Sequence, residues 1–292
     1  MEPKWKGLKK SILYNMNTYT STEKFVHEVQ THLALYNKWG PGCFRGYQKP
    51  HIAKVTKDNR LDIINQIIKS DGVDPDLFTN PHSYAHHLNS SQIVCYEFFR
   101  PKLSADQKRI INDDMLFCLN RMGIPAAVFK GAHAEFEWIP YPEENTNFDF
   151  YIQQTSSSDQ DSSNKIFFEI KYCERGFGQC EKDERHQTKF KEIYTPMIRN
   201  CTCLSKIPCF EEFKEYYQLF RNTLRLTKDN WRNDYVVFLF PRENELALKH
   251  YEAFADEFIN PEYLGHIKRV FWEDLTECMS ERFREKYFFY TL

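Results

Sequence analysis

The sequence predicts an α/β fold in which helices cover both faces of a mixed β-sheet. Three consecutive segments alternate apolar and polar residues with a period of two, as strands with one buried face do; they are residues 133–139, 147–153 and 165–172. Helical spacing then resumes and is followed by an apolar strand, another helix and a last strand, at residues 211–226, 235–240, 245–258 and 267–272. Helices that alternate with strands in this order indicate a sheet with helices packed on its faces.

Helices are also predicted before the first strand, at residues 21–38, 60–69 and 89–99 and in a segment from Ser104 through Leu119. The last of these is predicted to open at the capping-box pattern Ser104-Ala-Asp-Gln107. The Ser- and Asp-rich residues 155–164 are predicted to be an exposed hairpin loop between the second and third strands, and residues 40–60 a basic loop.

Composition predicts a compact cytoplasmic protein. Of 292 residues, 41% are hydrophobic and 16% aromatic, which is enough for a sizeable core. No apolar stretch reaches the roughly 18 residues of a membrane span, and no signal peptide is evident. The nine cysteines are therefore expected to be reduced thiols. We expect a single domain over residues 1–292, whose first 82 residues form a helical, basic extension.

The charge distribution supports this division. Residues 1–60 contain 11 Lys and Arg but only 4 Asp and Glu, whereas the whole chain has a net charge of −2. A basic region beside an acidic body would suit a protein that neutralises phosphates with one part and coordinates cations with another. An unevenly charged, solvated surface is the simpler alternative.

Two carboxylates and a lysine lie on consecutive predicted strands. Residues two apart on a strand share a face, so Glu169 and Lys171 emerge together, and Asp149 on the neighbouring strand is expected opposite Phe148 and Phe150. If the two strands pair, Asp149 lies beside Glu169 and Lys171. The carboxylates would repel each other unless a hard dication such as Mg²⁺, for which Mn²⁺ can substitute, lies between them. Exposed residues forming a cross-strand ion pair are the alternative.

This pattern resembles the PD-(D/E)XK phosphodiesterase superfamily. Asp149 occupies the first acidic position, although Phe148 stands where that family often has proline, and Glu169-Ile170-Lys171 matches the E-x-K part. The segments Asn89–Gln92, Asn147–Asp149 and Tyr217–Asn222 look more closely like a bacterial restriction-endonuclease-like group. The resemblance implies an α-β-β-β-α-β core over residues 83–275, and metal ligation by Asp149, Glu169 and the backbone carbonyl of Ile170.

The resemblance also implies roles for residues outside the motif. Glu97, on the helix before the strands, would be an acidic residue turned toward the metal. Glu135 and Glu137 are expected to point the same way, and one of them would be an additional or second-metal ligand. Exposed positions are the alternative for all three.

A polar stripe is predicted on the helix after the third strand. It contains Gln218, Arg221, Asn222 and Arg225, spaced i, i+3, i+4 and i+7. Arg can bind phosphate through two hydrogen bonds, and Gln can orient a water molecule. Such a stripe is also typical of a wet surface, but the resemblance favours catalytic roles for Gln218 and Arg221.

Two other sets of metal-ligand residues are weaker. The cysteines at 173, 180, 201, 203 and 209 with His186 do not have a standard zinc spacing, so zinc is not expected. His82, His86 and His87 include an i, i+4 pair without an evident third ligand.

The sequence therefore predicts a Mg²⁺-dependent endonuclease of restriction or defence type that hydrolyses DNA, with double-stranded DNA favoured and a homodimer expected from the resemblance. In this hypothesis Asp149 and Glu169 hold the metal and Lys171 assists the nucleophile. The alternative is a nuclease-like protein that binds nucleic acid or a partner without cutting.

Overall fold

A computed structural model describes residues 20–37, 51–68, 77, 81–139, 147–156, 159–226 and 232–291, without the side chains of residues 155–163. The first part of the predicted basic loop at 40–60 lies outside these ranges. No helix within them is long and apolar enough to cross a membrane.

The described residues form ten α-helices and five strands. Their bounds are α1 (Ser21–Tyr36), α2 (Arg60–Ile68), α3 (Ser91–Phe99), α4 (Asp113–Arg121), β1 (His133–Trp138), β2 (Phe148–Ser156), β3 (Asp159–Ile170), α5 (Glu184–Lys189), α6 (Thr195–Asn200), α7 (Phe210–Glu215), α8 (Tyr217–Thr223), β4 (Tyr235–Phe240), α9 (Glu245–Phe258), β5 (Ile267–Phe271) and α10 (Glu281–Tyr287).

The strands form one sheet in the order β1-β2-β3-β4-β5. β1 and β3 are each antiparallel to β2, whereas β3, β4 and β5 run parallel to one another. The predicted mixed sheet with flanking helices is thus confirmed. Four α-helices, rather than the single predicted one, connect β3 to β4, which is ample length for a crossover between parallel strands.

Alternation along β3 divides the core into two layers. Ile166, Phe168 and Ile170 pack into a first apolar cluster, to which α1–α4 and α10 contribute. Phe167 packs into a second cluster on the opposite face, built with α7, α8 and α9. Glu169 shares the parity of Phe167, so the sheet presents its carboxylate to the layer that contains α8.

The alternation predicted for β1 ends at Phe136. Phe136 packs against the first cluster, but Trp138 packs against the second and stacks on Tyr151 at a ring distance of 3.8 Å. Between them Glu137 has φ = +51°, a left-handed conformation that is uncommon outside glycine. The expectation that Glu135 and Glu137 point the same way is therefore wrong, because the chain twists between them.

The start of β2 also departs from the predicted alternation. Phe148 packs in the second cluster whereas Phe150 packs in the first, so Asp149 is not simply opposite both phenylalanines. Beyond the pair Phe150–Phe168 the ladder between β2 and β3 ends. The two strands consequently diverge like a fork where Asp149 lies.

Two predicted boundaries were wrong. The Oγ of Ser104 accepts from the backbone N–H of Gln107, but no helix follows there; α4 begins at Asp113 with Asn112 as its cap. The intervening Ile110 and Ile111 instead form β-bridges to His133 and Leu103. Likewise, most of the predicted hairpin loop at 155–164 belongs to β2 and β3, whose backbone pairing continues to residues 156 and 159.

A buried ion pair ties α3 to the last helix. The Nζ of Lys286 lies 2.9 and 2.8 Å from the two carboxylate oxygens of Glu97 and also donates to the carbonyl of Ile67. The side chains of Glu97 and Lys286 are 7% and 2% exposed. Each charge depends on the other because both side chains are almost fully removed from solvent.

We expect Lys286→Met to lower the free energy of unfolding by about 3–5 kcal/mol, since it leaves a carboxylate buried without its partner. Urea denaturation measures the change. The exposed pair of Lys249 with Glu245 is the control, because Lys249→Met should cost less than about 1 kcal/mol. The difference should shrink at low pH, where protonated Glu97 needs no counter-charge. Equal effects of the two substitutions would contradict this account.

Candidate functional site

The candidate site is a cavity of about 520 Å³ at the fork between β2 and β3. Six of its lining residues form the acidic end and lie in, or directly beside, β1, β2, β3 and α8. They are Glu137, Asn147, Asp149, Glu169, Lys171 and Gln218. The structure therefore brings together the three motif residues predicted from spacing, with Gln218 and Glu137 beside them.

Asp149 bridges the diverging strands. Its Oδ2 accepts the backbone N–H of Ile170 at 2.6 Å. The backbone N–H of the next residue, Lys171, points to the opposite neighbouring strand and donates to the carbonyl of Leu239 in β4. Burial, and then the negative charges of Glu169 and Glu137, raise the pKa of Asp149 well above its usual range, against the opposing effects of Lys171 and the Ile170 N–H.

Glu169 is held by three donors and is only 3% exposed. Its Oε1 accepts from the Nζ of Lys171 at 2.9 Å and from the Nε2 of Gln218 at 2.5 Å. Its Oε2 accepts from the Nδ2 of Asn222 at 2.7 Å. These hydrogen bonds fix the position of the carboxylate and offset part of the cost of burying it.

Gln218 and Asn222 reach the same carboxylate because residues four apart lie on one face of a helix. α8 places both on the side facing the sheet. The amide of Gln218 is oriented by a second contact, in which its Oε1 accepts the backbone N–H of Gly178 at 2.8 Å. With one end of the amide accepting and the other donating to Glu169, its orientation follows from the hydrogen bonds themselves.

Lys171 is a firmly held cation. Burial by itself would lower its pKa, but the charges of Glu169, Glu174 and Asp149 outweigh burial, and the pKa is raised above its ordinary value. Its side chain is 11% exposed. Lys171 thus keeps its proton over the whole physiological range.

Glu137 adds a third carboxylate. Burial raises its pKa to about 7, assisted by the charge of Glu169 and opposed by hydrogen bonds from Gln92 and Asn147. Asn147 donates its Nδ2 to Glu137 Oε2. Neither amide was among the residues singled out for the site from the sequence.

The acidic end of the cavity has three carboxylates and one lysine, an arrangement that favours a bound cation. Oxygen donors of this kind suit Mg²⁺, which is usually held by one or two carboxylates together with water and substrate oxygens. Within the described ranges, no three His, Cys, Asp or Glu side chains are already gathered closely enough to coordinate one ion. The donor set thus fits an ion held by two carboxylates, not an enclosed cage.

Other residues predicted for the site lie in different surroundings. Arg221 lines the cavity, with its guanidinium 5.5 Å from the ring of Tyr217. Glu135 lies outside the cavity lining and pairs instead with Arg109 at 3.4 Å and His133 at 3.6 Å. Glu97 also lies elsewhere, in its ion pair with Lys286. The structure does not bring Glu135 or Glu97 to the acidic cluster.

The cysteines are dispersed between the two layers. Cys201 and Cys203 have their sulfur atoms 2.7 Å apart beside the second cluster, whereas Cys173 packs in the first, on the opposite face of the sheet. The expectation that the chain binds no zinc stays a prediction.

The clamp that Asn222 forms on Glu169 was not predicted from the sequence. Asn222 is fully buried, and its place four residues after Gln218 in the polar stripe was the available signal. Gln92 and Asn147 lie in two of the segments that carry the resemblance, Asn89–Gln92 and Asn147–Asp149, but neither was assigned a role.

A family model described as Restriction Endonuclease associating with ARP matches residues 43–288. The match spans well over half of the chain and includes every residue of the cavity. No curated protein and no solved structure matches the chain. The resemblance to a restriction-endonuclease-like group is thus confirmed, and the family indicates a nuclease-like role.

We expect the metal-free protein to lose stability as the pH rises from about 5 to about 8. The folded protein keeps a proton on Glu137 up to about pH 7, whereas the unfolded chain releases it near 4.5. The stabilisation is therefore complete below the unfolded pKa and is lost as the pH rises through the folded one. Glu137→Gln should reduce the loss of unfolding free energy over this pH range by about 1–3 kcal/mol.

Urea denaturation in the presence of a chelator, repeated across this pH range, measures the slope. Glu135→Gln is the matched control on the same strand and should keep the wild-type slope. If Glu137→Gln leaves the slope unchanged, Glu137 is not held in the environment described.

Proposed function

The chain belongs to the family described as Restriction Endonuclease associating with ARP, and from that premise we propose that it is a Mg²⁺-dependent endonuclease that hydrolyses DNA phosphodiester bonds. Double-stranded DNA would be its favoured substrate. Its role would be in restriction or defence, in the cytoplasm. The single observation that carries this proposal is the convergence of Asp149 and Glu169 beside Lys171 in an open cavity lined by more carboxylates than lysines and arginines. The sheet and its helices would then be the α-β-β-β-α-β core over residues 83–275.

Asp149, Glu169 and the carbonyl of Ile170 would hold the ion, with Mn²⁺ as a substitute. The N–H of Ile170 is directed to Asp149 on the β2 side. In an antiparallel ladder a residue exchanges its N–H and its C=O with the same neighbour, so this carbonyl is directed to the same side, where the ladder has ended. The chemistry supplied by such an ion is neutralisation of phosphate charge and a lower pKa for water at the site.

Lys171 would act as a fixed positive charge. In the metal-free protein the carboxylates around Lys171 raise its pKa and favour its protonated form, which acts as a charge and not as a general base. A cation held beside the ligands can instead stabilise negative charge that develops on the attacking oxygen or the scissile phosphate.

Gln218 would position Glu169. Both ends of its amide are engaged, one by Glu169 and the other by Gly178, so orientation of the carboxylate agrees with the contacts better than orientation of a water molecule. Arg221, which also lines the cavity, would contact a phosphate through its guanidinium.

We expect purified protein to cleave plasmid DNA in the presence of Mg²⁺, and Asp149→Asn and Lys171→Met each to lower the rate by at least about 100-fold. The first change removes a ligand and the second removes the fixed charge. Gel electrophoresis of supercoiled plasmid measures the rates, and Glu135→Gln, outside the cavity, is the control that should cleave at the wild-type rate.

Equal cleavage by wild type and both variants would overturn the assignment and point to a contaminating nuclease. Absence of cleavage by the wild type, together with retained binding to DNA, would support the alternative of a protein that binds without cutting. Calorimetry with Mg²⁺ or Mn²⁺ separates these cases further, because Asp149→Asn should abolish the heat of ion binding.

Asn222→Ala is expected to reduce activity by about 10- to 100-fold, with a higher Mg²⁺ concentration needed for half-maximal rate. It frees Oε2 of Glu169, and residues that orient a ligand typically contribute this much. Plasmid cleavage over a range of Mg²⁺ concentrations measures both quantities. Tyr217→Phe, on the same helix, should leave the Mg²⁺ dependence unchanged; an unchanged dependence in Asn222→Ala would show that the clamp does not position the ligand.

A further inference from the structure

An exposed aromatic side chain lines the cavity that contains the acidic cluster. Tyr84 is 60% exposed and lies in the segment 81–90, which runs into helix α3. Solvated tyrosines are common at protein surfaces, so exposure alone means little. What sets Tyr84 apart is its place in the wall of the same cavity as Asp149 and Arg221.

The backbone that carries Tyr84 is firmly anchored. The N–H of Ala85 donates to the carbonyl of His82, and the N–H of His87 to that of Tyr84, both at 2.9 Å. Ala85 and Leu88 are fully buried on either side of His87, where the segment turns into the core. The ring of Tyr84 is therefore displayed to the cavity by a fixed turn.

This turn is also connected to the acidic cluster. The N–H of His82 donates to the Oε1 of Gln92 at 2.7 Å, and Gln92 hydrogen-bonds to Glu137. The position of the turn is consequently coupled to that of the carboxylates.

Two imidazole rings flank Tyr84 without covering it. The rings of His82 and His87 each have their centres 5.3 Å from that of Tyr84, at interplanar angles of 46° and 56°. A ring that was stacked on Tyr84 would lie nearly parallel to it. The two histidines thus contact Tyr84 without stacking on it, and its 60% exposure leaves room for a flat ligand.

The ligand that this wall fits is a nucleobase that has left its stack. A base inside a duplex has both faces covered by its neighbours, so a side chain can stack on it only when the base is unpaired or extruded. Aromatic stacking is the usual way in which proteins bind such bases, and it tolerates any sequence because every base has a π-face.

We infer that Tyr84 stacks on an unpaired or extruded base of the nucleic-acid strand whose phosphate occupies the acidic cavity. The inference rests on the proposed function for the placement of that phosphate. It sharpens the substrate class, because a continuous, undistorted duplex would leave Tyr84 unused.

Binding measured in a non-cleaving background tests this contact without relying on catalysis. Fluorescence anisotropy of Asp149→Asn protein would be compared for a labelled oligothymidylate and for an abasic strand of equal length and charge. Tyr84→Ala should weaken binding of the thymidylate by about 5- to 150-fold, the range expected for the loss of one stacked base, and should leave binding of the abasic strand within about twofold. Dividing the fold-loss for the thymidylate by the fold-loss for the abasic strand isolates the base–ring contact.

Matched variants define what the contact requires. Tyr84→Phe keeps the ring and should retain the full preference for bases, whereas Tyr84→Leu keeps apolar bulk and should lose most of it. Phe117→Ala, an exposed aromatic residue outside this cavity, should show no difference between the two strands.

Equal losses for both strands in Tyr84→Ala, or a Tyr84→Leu variant that binds like Tyr84→Phe, would overturn the inference. If the wild type cleaves DNA but Tyr84→Ala shows no base-dependent loss of binding, the stacking contact is excluded while the nuclease assignment stands. Conversely, base-dependent binding without any cleavage would support the contact while the proposed hydrolysis failed.

Discussion

The repulsion among the carboxylates at the fork of β2 and β3 is the constraint on which the remainder of the site depends. Asp149, Glu137 and Glu169 converge where the sheet can no longer hydrogen-bond across two strands. The protein offsets the repulsion with one lysine, two amides from α8 and one backbone N–H. The layers on each side of the sheet keep these groups in place.

The two-layer core explains how a sheet covered on both faces can carry such a site. Helices pack on both faces of the sheet, and the acidic residues emerge only where β2 and β3 diverge. The flanking aromatic residues exclude water from the sheet itself, which strengthens each electrostatic interaction at its edge. The electrostatic interactions of the site therefore depend on the packing of the core.

Local rules predicted the strands and the shared face of Glu169 and Lys171, because strand periodicity is a property of neighbouring residues. They failed where distant parts of the chain decide the outcome. Glu97 meets Lys286 across a separation of 189 residues, and Asn222 reaches Glu169 only because α8 docks on the sheet. The left-handed backbone of Glu137 and the bridges that replace a helix start after Ser104 are tertiary effects of the same kind.

The three-donor clamp on Glu169 has a thermodynamic consequence. Within this clamp Gln218 and Asn222 orient the carboxylate, whereas the positive charge of Lys171 opposes that of an incoming ion. The resting protein should accordingly hold a dication loosely, with phosphate oxygens of the nucleic acid needed to complete its coordination. Ion and substrate would then raise each other's affinity by the same factor, so that the proposed ion site would fill more readily once a strand is in place.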